Sequence, residues 1–142
     1  MIILAQRYNI NYNGMWACFS GIIDAFITKF MNKDDYEEWR KIEYGPYYTD
    51  ELAEGRNIET MDYAVVHIRL NRDREEAMEC LLETGLPKDE CEQLMDNMAR
   101  EYYYPKLQED GTYLCPNCGV VVQKGQKECT EEYCWNELIW KE

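Results

Sequence analysis

The chain has 142 residues and carries 15 basic against 28 acidic side chains, a formal charge of −13. That balance speaks against direct binding of DNA or RNA, because a phosphate backbone is held by an excess of Lys and Arg. The apolar stretch from Met15 to Phe30 is broken by Ser20, Asp24 and Lys29 and falls short of the roughly 20 residues a membrane-spanning helix needs, so no transmembrane segment is expected.

Up to residue 110 there are 12 basic and 23 acidic side chains, and from 111 onward 3 and 5, so the acidity belongs to the larger, N-terminal part. Seven cysteines without a secretory n-region and cleavage site suit a reducing compartment, and the expected location is the cytoplasm. The length accommodates one domain with its own core plus a small metal-dependent module.

In chain order, Met1 to Ala5 is an apolar run, and Tyr8, Ile10 and Tyr12 alternate with Asn9, Asn11 and Asn13. This is strand periodicity, ended by Asn13-Gly14. Trp16, Phe19, Ile23, Phe26, Ile27 and Phe30 then recur at helical spacing, which predicts a core helix over 15–30 with Cys18 inside it. An acidic helix from Asp34 through Arg40 stops at Gly45-Pro46, since proline cannot continue a helix. Thr49 can cap a short turn of Asp50, Glu51 and Leu52 that Gly55 closes, within an irregular, exposed stretch from Tyr44 to Glu59. Its mixture of Tyr47, Tyr48, Asp50, Glu51 and Glu54 makes it the candidate partner-binding surface, because tyrosine joins apolar area to a polar tip.

Tyr63 to Leu70 alternates again, with Ala64, Val66, Ile68 and Leu70 on one side, and predicts a strand carrying His67. Arg74 to Thr84 reads as a helix ended by Gly85. Pro87 starts another, with Cys91, Leu94, Met95, Met98 and Tyr102 on one stripe. Lys106 to Asp110 reads as a link. The expected class is α+β, a small sheet packed with helices over residues 1–108, followed by a cysteine-rich module over 109–142.

In that module, Cys115-Pro116-Asn117-Cys118-Gly119 follows the β-prone Thr112-Tyr113-Leu114 and precedes Val120-Val121-Val122. After a turn at Lys124-Gly125 come Cys129 and Cys134. Four thiolates from two chain segments satisfy a tetrahedral zinc ion completely and leave no open position for substrate. Iron also occupies four-cysteine sites; a redox pair is disfavoured because Gly119 and three valines, not a helix, follow Cys118. On the Cys-Pro-x-Cys-Gly knuckle, the apolar run and the second cysteine pair, the module resembles the zinc-ribbon and treble-clef group. The resemblance implies one structural Zn²⁺ held by Cys115, Cys118, Cys129 and Cys134. Thr130 as an N-cap, with Glu131 and Glu132 after it, predicts a helix that carries Cys134 and the apolar Trp135, Leu138, Ile139 and Trp140.

The expected function is that of a non-enzymatic, acidic, zinc-containing binding protein. It would occupy a basic surface of a nucleic-acid-handling protein, as a phage-type inhibitor such as an anti-CRISPR does. One alternative is a zinc-ribbon adaptor subunit of a larger assembly. Another is a thiol hydrolase, since the order of Cys18 and His67 resembles nucleophile and base in papain-like enzymes. The run Trp16-Ala17-Cys18-Phe19-Ser20 lacks the papain-type order of Cys before Trp.

Overall fold

The computed structural model describes residues 6–140; the expected apolar strand segment Met1 to Ala5 lies outside the described residues. The class is α+β, with five α-helices and two small sheets among the described residues. The chain divides into two compact units, Met1–Leu94 and Met95–Glu142. No helix of the described residues is long and apolar enough to cross a membrane.

The first unit is built on the hairpin of β1 (Arg7–Tyr12) and β2 (Met15–Ser20). Asn13 and Gly14 join the strands with φ of 52° and 79°, the two-residue turn whose twist suits antiparallel strands. It fixes the register in which Asn9 faces Cys18 and Ile10 faces Ala17. β3 (Ala25–Phe26) adds antiparallel to β2 and β4 (Ile58–Glu59) parallel to β1, giving the order β3-β2-β1-β4.

Helices cover both faces of this sheet. α1 (Lys33–Tyr44) is started by Asn32, whose side chain accepts from the Asp35 N–H at 2.8 Å, and buries Tyr36, Arg40 and Tyr44 one turn apart. Tyr36 Oη donates to Asn9 Oδ1 at 2.6 Å, the Tyr36 ring stacks on Trp16 at 6.3 Å, and Tyr44 Oη lies 3.8 Å from Cys18 Sγ. On the opposite face, Tyr63 of α3 (Met61–Leu70) meets Tyr8 at 5.3 Å and Phe19 at 6.2 Å. Between these two helices run a 3-10 turn at Gly45–Tyr47 and the short α2 (Glu51–Glu54), with Asp50 rather than Thr49 at its N-cap position, making no side-chain capping bond, and left-handed Gly55 closing it.

This two-sided cover corrects the expected helix over 15–30. Ala17, Cys18, Phe19 and Ser20 are consecutive and all buried, because adjacent strand residues point to opposite faces and both faces are packed. Such a strand shows an unbroken apolar run, and the helical spacing of Trp16, Phe19 and Ile23 is incidental to it. Ile23 is in fact 56% exposed, in the turn before β3. Cys18 therefore sits on a strand between two others.

The expected strand over 63–70 is likewise corrected, to helix α3. The Thr60 side chain accepts from the Tyr63 N–H at 3.1 Å, an N-cap that the alternation of Ala64, Val66 and Ile68 conceals. The residues buried are Met61, Ala64, Val65 and Ile68, a helical stripe, while Leu70 is 62% exposed. Valines adopt the helix because packing on the sheet outweighs their weak preference for strands. α4 (Arg74–Leu82), capped by Asp73, follows as expected and packs against α3 and β3. Arg72 ties the connection to the β2–β3 turn, donating to the carbonyls of Asp24 at 2.7 Å and Ile23 at 3.3 Å.

α5 (Lys88–Tyr102) follows Pro87. Cys91, Met95 and Met98 are buried on its expected stripe, which continues through Ala99 to Tyr103 instead of Tyr102. Beyond it, the second unit forms a three-stranded antiparallel sheet of β5 (Lys106–Leu107), β6 (Tyr113–Leu114) and β7 (Val121–Val122). The expected link thus supplies an edge strand, and Asp110-Gly111 makes the turn, with Asp110 Oδ1 accepting from the Thr112 N–H at 3.0 Å.

Among the described residues, Arg40 is the one charged side chain buried to 1% exposure. Its guanidinium meets Glu37 at 3.4 Å, Glu51 at 3.3 Å and the Thr49 carbonyl at 3.0 Å, and lies over the Tyr44 and Tyr48 rings. Arg40→Ala is expected to destabilise the first unit by about 3–5 kcal/mol, since it strands two poorly solvated carboxylates. Denaturant unfolding measures this, and pairing Arg40→Met with Glu51→Gln should recover part of the loss.

Candidate metal centre

The four cysteines of the second unit meet at two turns of similar build. In the first, β6 delivers Cys115, whose N–H donates to the Val120 carbonyl at 2.8 Å, and the Gly119 N–H donates back to the Cys115 carbonyl at 3.0 Å. Gly119 takes φ of 81°, a conformation in which a side chain is strained. The second turn corrects the expected helix after Thr130. Residues 129–140 form no helix; Glu128 and Glu137 pair across a short antiparallel bridge, and between them the chain folds back. The Cys129 N–H donates to the Asn136 carbonyl at 2.8 Å and the Cys134 N–H to the Glu131 carbonyl at 3.0 Å. Trp135, following Cys134 as Gly119 follows Cys118, adopts φ of 51°.

These turns are held by a small core of Cys115, Val122, Cys129 and Leu138, against which Tyr113, Val120, Cys134 and Trp140 pack. Trp140 meets Tyr113 edge-on at 5.0 Å and its indole N–H donates to the Gln126 carbonyl at 2.6 Å. Of the apolar residues expected on a terminal helix, Leu138 is buried and Ile139 and Trp140 half-buried from an extended segment, while Trp135 is exposed. That segment is tied to the end of α5, with the Ile139 N–H donating to the Tyr103 carbonyl at 2.9 Å and Asn136 Nδ2 to that of Tyr102 at 2.6 Å.

All four sulfurs lie within 4.8 Å of one another. Cys115 and Cys134 are 3.7 Å apart, and Cys118 and Cys129 3.6 Å. A tetrahedral ion with zinc–sulfur bonds of about 2.3 Å sets its sulfurs about 3.8 Å apart. The residues present therefore fit a four-thiolate metal ion, with Cys115 and Cys129 buried, Cys134 half-buried and Cys118 exposed. Asn117, within the first turn, reaches Cys134 Sγ at 3.4 Å and donates to it. Such donors to a ligating sulfur orient it and spread its charge, and nothing in the Cys-x-x-Cys spacing singles Asn117 out.

Without a metal, the thiols of Cys129 and Cys134 differ. Burial pushes Cys129 up to about 12. Burial also opposes ionisation of Cys134, but the Asn117 side chain, the Asn136 N–H and the neighbouring thiols outweigh it and bring Cys134 to about 7.

The other candidate residues are dispersed. Cys18 faces α1, where burial pushes its thiol up against the pull of Tyr44 and Arg7. His67 rides on α3, across the sheet, with Nδ1 donating to the Tyr63 carbonyl at 2.8 Å. The sheet separates the two, so they form no nucleophile–base pair. In the acidic stretch, Tyr47 is 64% exposed and Asp50 is exposed. Glu51 is held by Arg40 and Asn9, Tyr48 donates to Glu37, and Glu54 pairs with Arg56. Comparison with protein-family models, with curated proteins and with solved structures finds no match.

The thiolate is the reactive form of cysteine, so iodoacetamide at neutral pH should label Cys134 before Cys129 in the metal-free protein. Raising the pH from about 6 to about 8 should accelerate the Cys134 reaction, because its proton leaves in that window, and zinc should suppress it. Peptide mapping of the adduct reads this, and preferential labelling of Cys129 would contradict it.

Proposed function

We propose that the second unit binds one zinc ion through Cys115, Cys118, Cys129 and Cys134 in a zinc-ribbon arrangement, and that the ion is structural. Four thiolates fill a tetrahedral shell, leaving no position at which the ion could activate water or substrate. The two matched turns and the three-stranded sheet support a ribbon over a treble clef, since the latter needs a helix at the second cysteine pair. When bound, zinc supplies folding energy to a unit whose apolar core is only a few side chains.

On that footing the chain acts as a non-enzymatic binding protein. It presents an acidic surface to a basic groove of a nucleic-acid-handling protein and excludes the nucleic acid, as a phage-type inhibitor would. The observation that carries this reading is the net charge of −13 on a small chain, which four thiolates and one divalent ion make more negative by two. Free thiols at Cys18, Cys80 and Cys91 suit a reducing, cytoplasmic setting. The second reading is an adaptor within a larger assembly, supported by the outward aromatic side chains of Tyr133 and Trp135.

Native mass spectrometry of protein prepared with zinc is expected to show one ion per chain. Cys115→Ser should abolish it and loosen 113–140 while the sheet of the first unit stays formed. A wild-type chain that takes up no zinc would remove the module reading.

For the partner, association should be fast at low salt and slow as the Debye length falls from about 30 Å at 0.01 M to about 8 Å at 0.15 M. Nucleic acid should compete. Asp50→Lys with Glu54→Lys should lower the association rate without altering the fold, whereas Glu51 is unsuitable because it holds Arg40. A partner captured from the host that binds equally in high salt and keeps its nucleic acid would favour the adaptor.

A further inference from the structure

The second cysteine turn carries two large aromatic side chains that the unit does not use. Tyr133 is 91% exposed and Trp135 60%, and they flank the ligand Cys134 on both sides. Both sit in the left-handed region, with φ of 69° and 51°, which L residues adopt at a cost. Gly119 occupies the place equivalent to Trp135 in the first turn, also at positive φ, so the second turn carries a tryptophan where the first has glycine.

The residues leading into these rings are acidic. Glu131 and Glu132 are exposed immediately before Tyr133, and Glu128 pairs directly across from Glu137 at the base of the turn. Metal-bound thiolates add further negative charge beneath the turn. The basic residues of 111–140, Lys124 and Lys127, lie on the segment between β7 and Cys129.

We propose that this turn is a docking tip for an arginine-bearing segment of a partner protein, with guanidinium groups laid on Tyr133 and Trp135 and paired with Glu131 and Glu132. It rests on the zinc-ribbon reading, because the turn is shaped by Cys129 and Cys134, and it adds the chemistry of the partner. Arginine is the side chain that both stacks on an aromatic face and bonds a carboxylate through two parallel N–H groups. Carboxylates repel phosphate, which excludes nucleic acid and anionic lipid surfaces as occupants. The charge of −13 disfavours a second copy of the chain.

The test uses the zinc-loaded full chain and a synthetic peptide of alternating arginine and glycine, followed by two-dimensional NMR and titration at low salt. Shifts are expected to concentrate on 131–137 and on the Trp135 indole. Tyr133→Ser with Trp135→Ser should weaken binding about tenfold. Glu131→Gln with Glu132→Gln should weaken it and flatten its salt dependence, and a lysine–glycine peptide should bind less tightly than the arginine one. Shifts spread over the acidic helices, or a double aromatic variant that binds as tightly as wild type, would overturn the proposal. Native mass spectrometry of the same samples separates the two failures. A wild-type chain without zinc removes the ribbon reading, whereas a zinc-bearing double variant that still binds removes the docking tip alone.

Discussion

The first unit depends on a β-hairpin that carries helices on both faces. Once Asn13 and Gly14 fix the register, every residue from Ala17 to Ser20 must be packed on one side or the other, and the elements that follow are disposed to do it. α1 covers the side of Asn9, Trp16 and Cys18, and α3 that of Tyr8 and Phe19. Small side chains at Ala17, Cys18 and Ser20 let the helices approach, and aromatic rings fill the remaining space. Cys18 is explained by this geometry as a compact core residue with a weak contact to Tyr44.

The same arrangement draws a polar cluster inside. Asn9 is buried on the sheet and is satisfied by Tyr36, Glu51 and the Asn57 carbonyl. Glu51 in turn faces Arg40, which also engages Glu37 and the Thr49 carbonyl. These bonds fasten the segment between α1 and β4, otherwise poor in apolar side chains, to the sheet. A charge-assisted network of this kind adds little net stability compared with an apolar core, yet removal of one member is costly, which makes it a device for holding one arrangement of chain. Acidic residues that look available for a partner are therefore of two kinds, those bound to Arg40 or Arg56 and those, such as Asp50, exposed to solvent.

In the second unit the constraint is chemical. Two turns present their sulfurs about as far apart as a tetrahedral ion requires, and the apolar core that supports them is small. Trp140 and Tyr113 close one end of that core, and the hydrogen bonds from Ile139 and Asn136 to the last turn of α5 close the other. Outward on the second turn stand the exposed carboxylates of Glu131 and Glu132 and the rings of Tyr133 and Trp135, a surface whose chemistry favours cations.

The four-cysteine site was legible in the sequence because ligand identity and spacing are local: Cys115 and Cys118 with Gly119 after them define a turn whatever surrounds it. So were the turn at Asn13-Gly14, the Gly45-Pro46 stop and the helix start at Pro87, each set by turn or cap chemistry within a few residues; the acidic helix from Asp34, the helix from Arg74 and the α+β class were legible from their patterns. The identity of β2 and α3 was not legible, because periodicity reports how many sides of an element are buried, and that number is decided by neighbours distant in sequence. Burial on both sides gave β2 the pattern of a helix, and packing on the sheet held Val65 and Val66 in a helix despite their strand-like alternation. The turn after Cys129 followed the same rule: Thr130, Glu131 and Glu132 favour a helix locally, but the pairing of Glu128 with Glu137 and the burial of Leu138 in the module core, contacts made only on folding, bend the chain back instead.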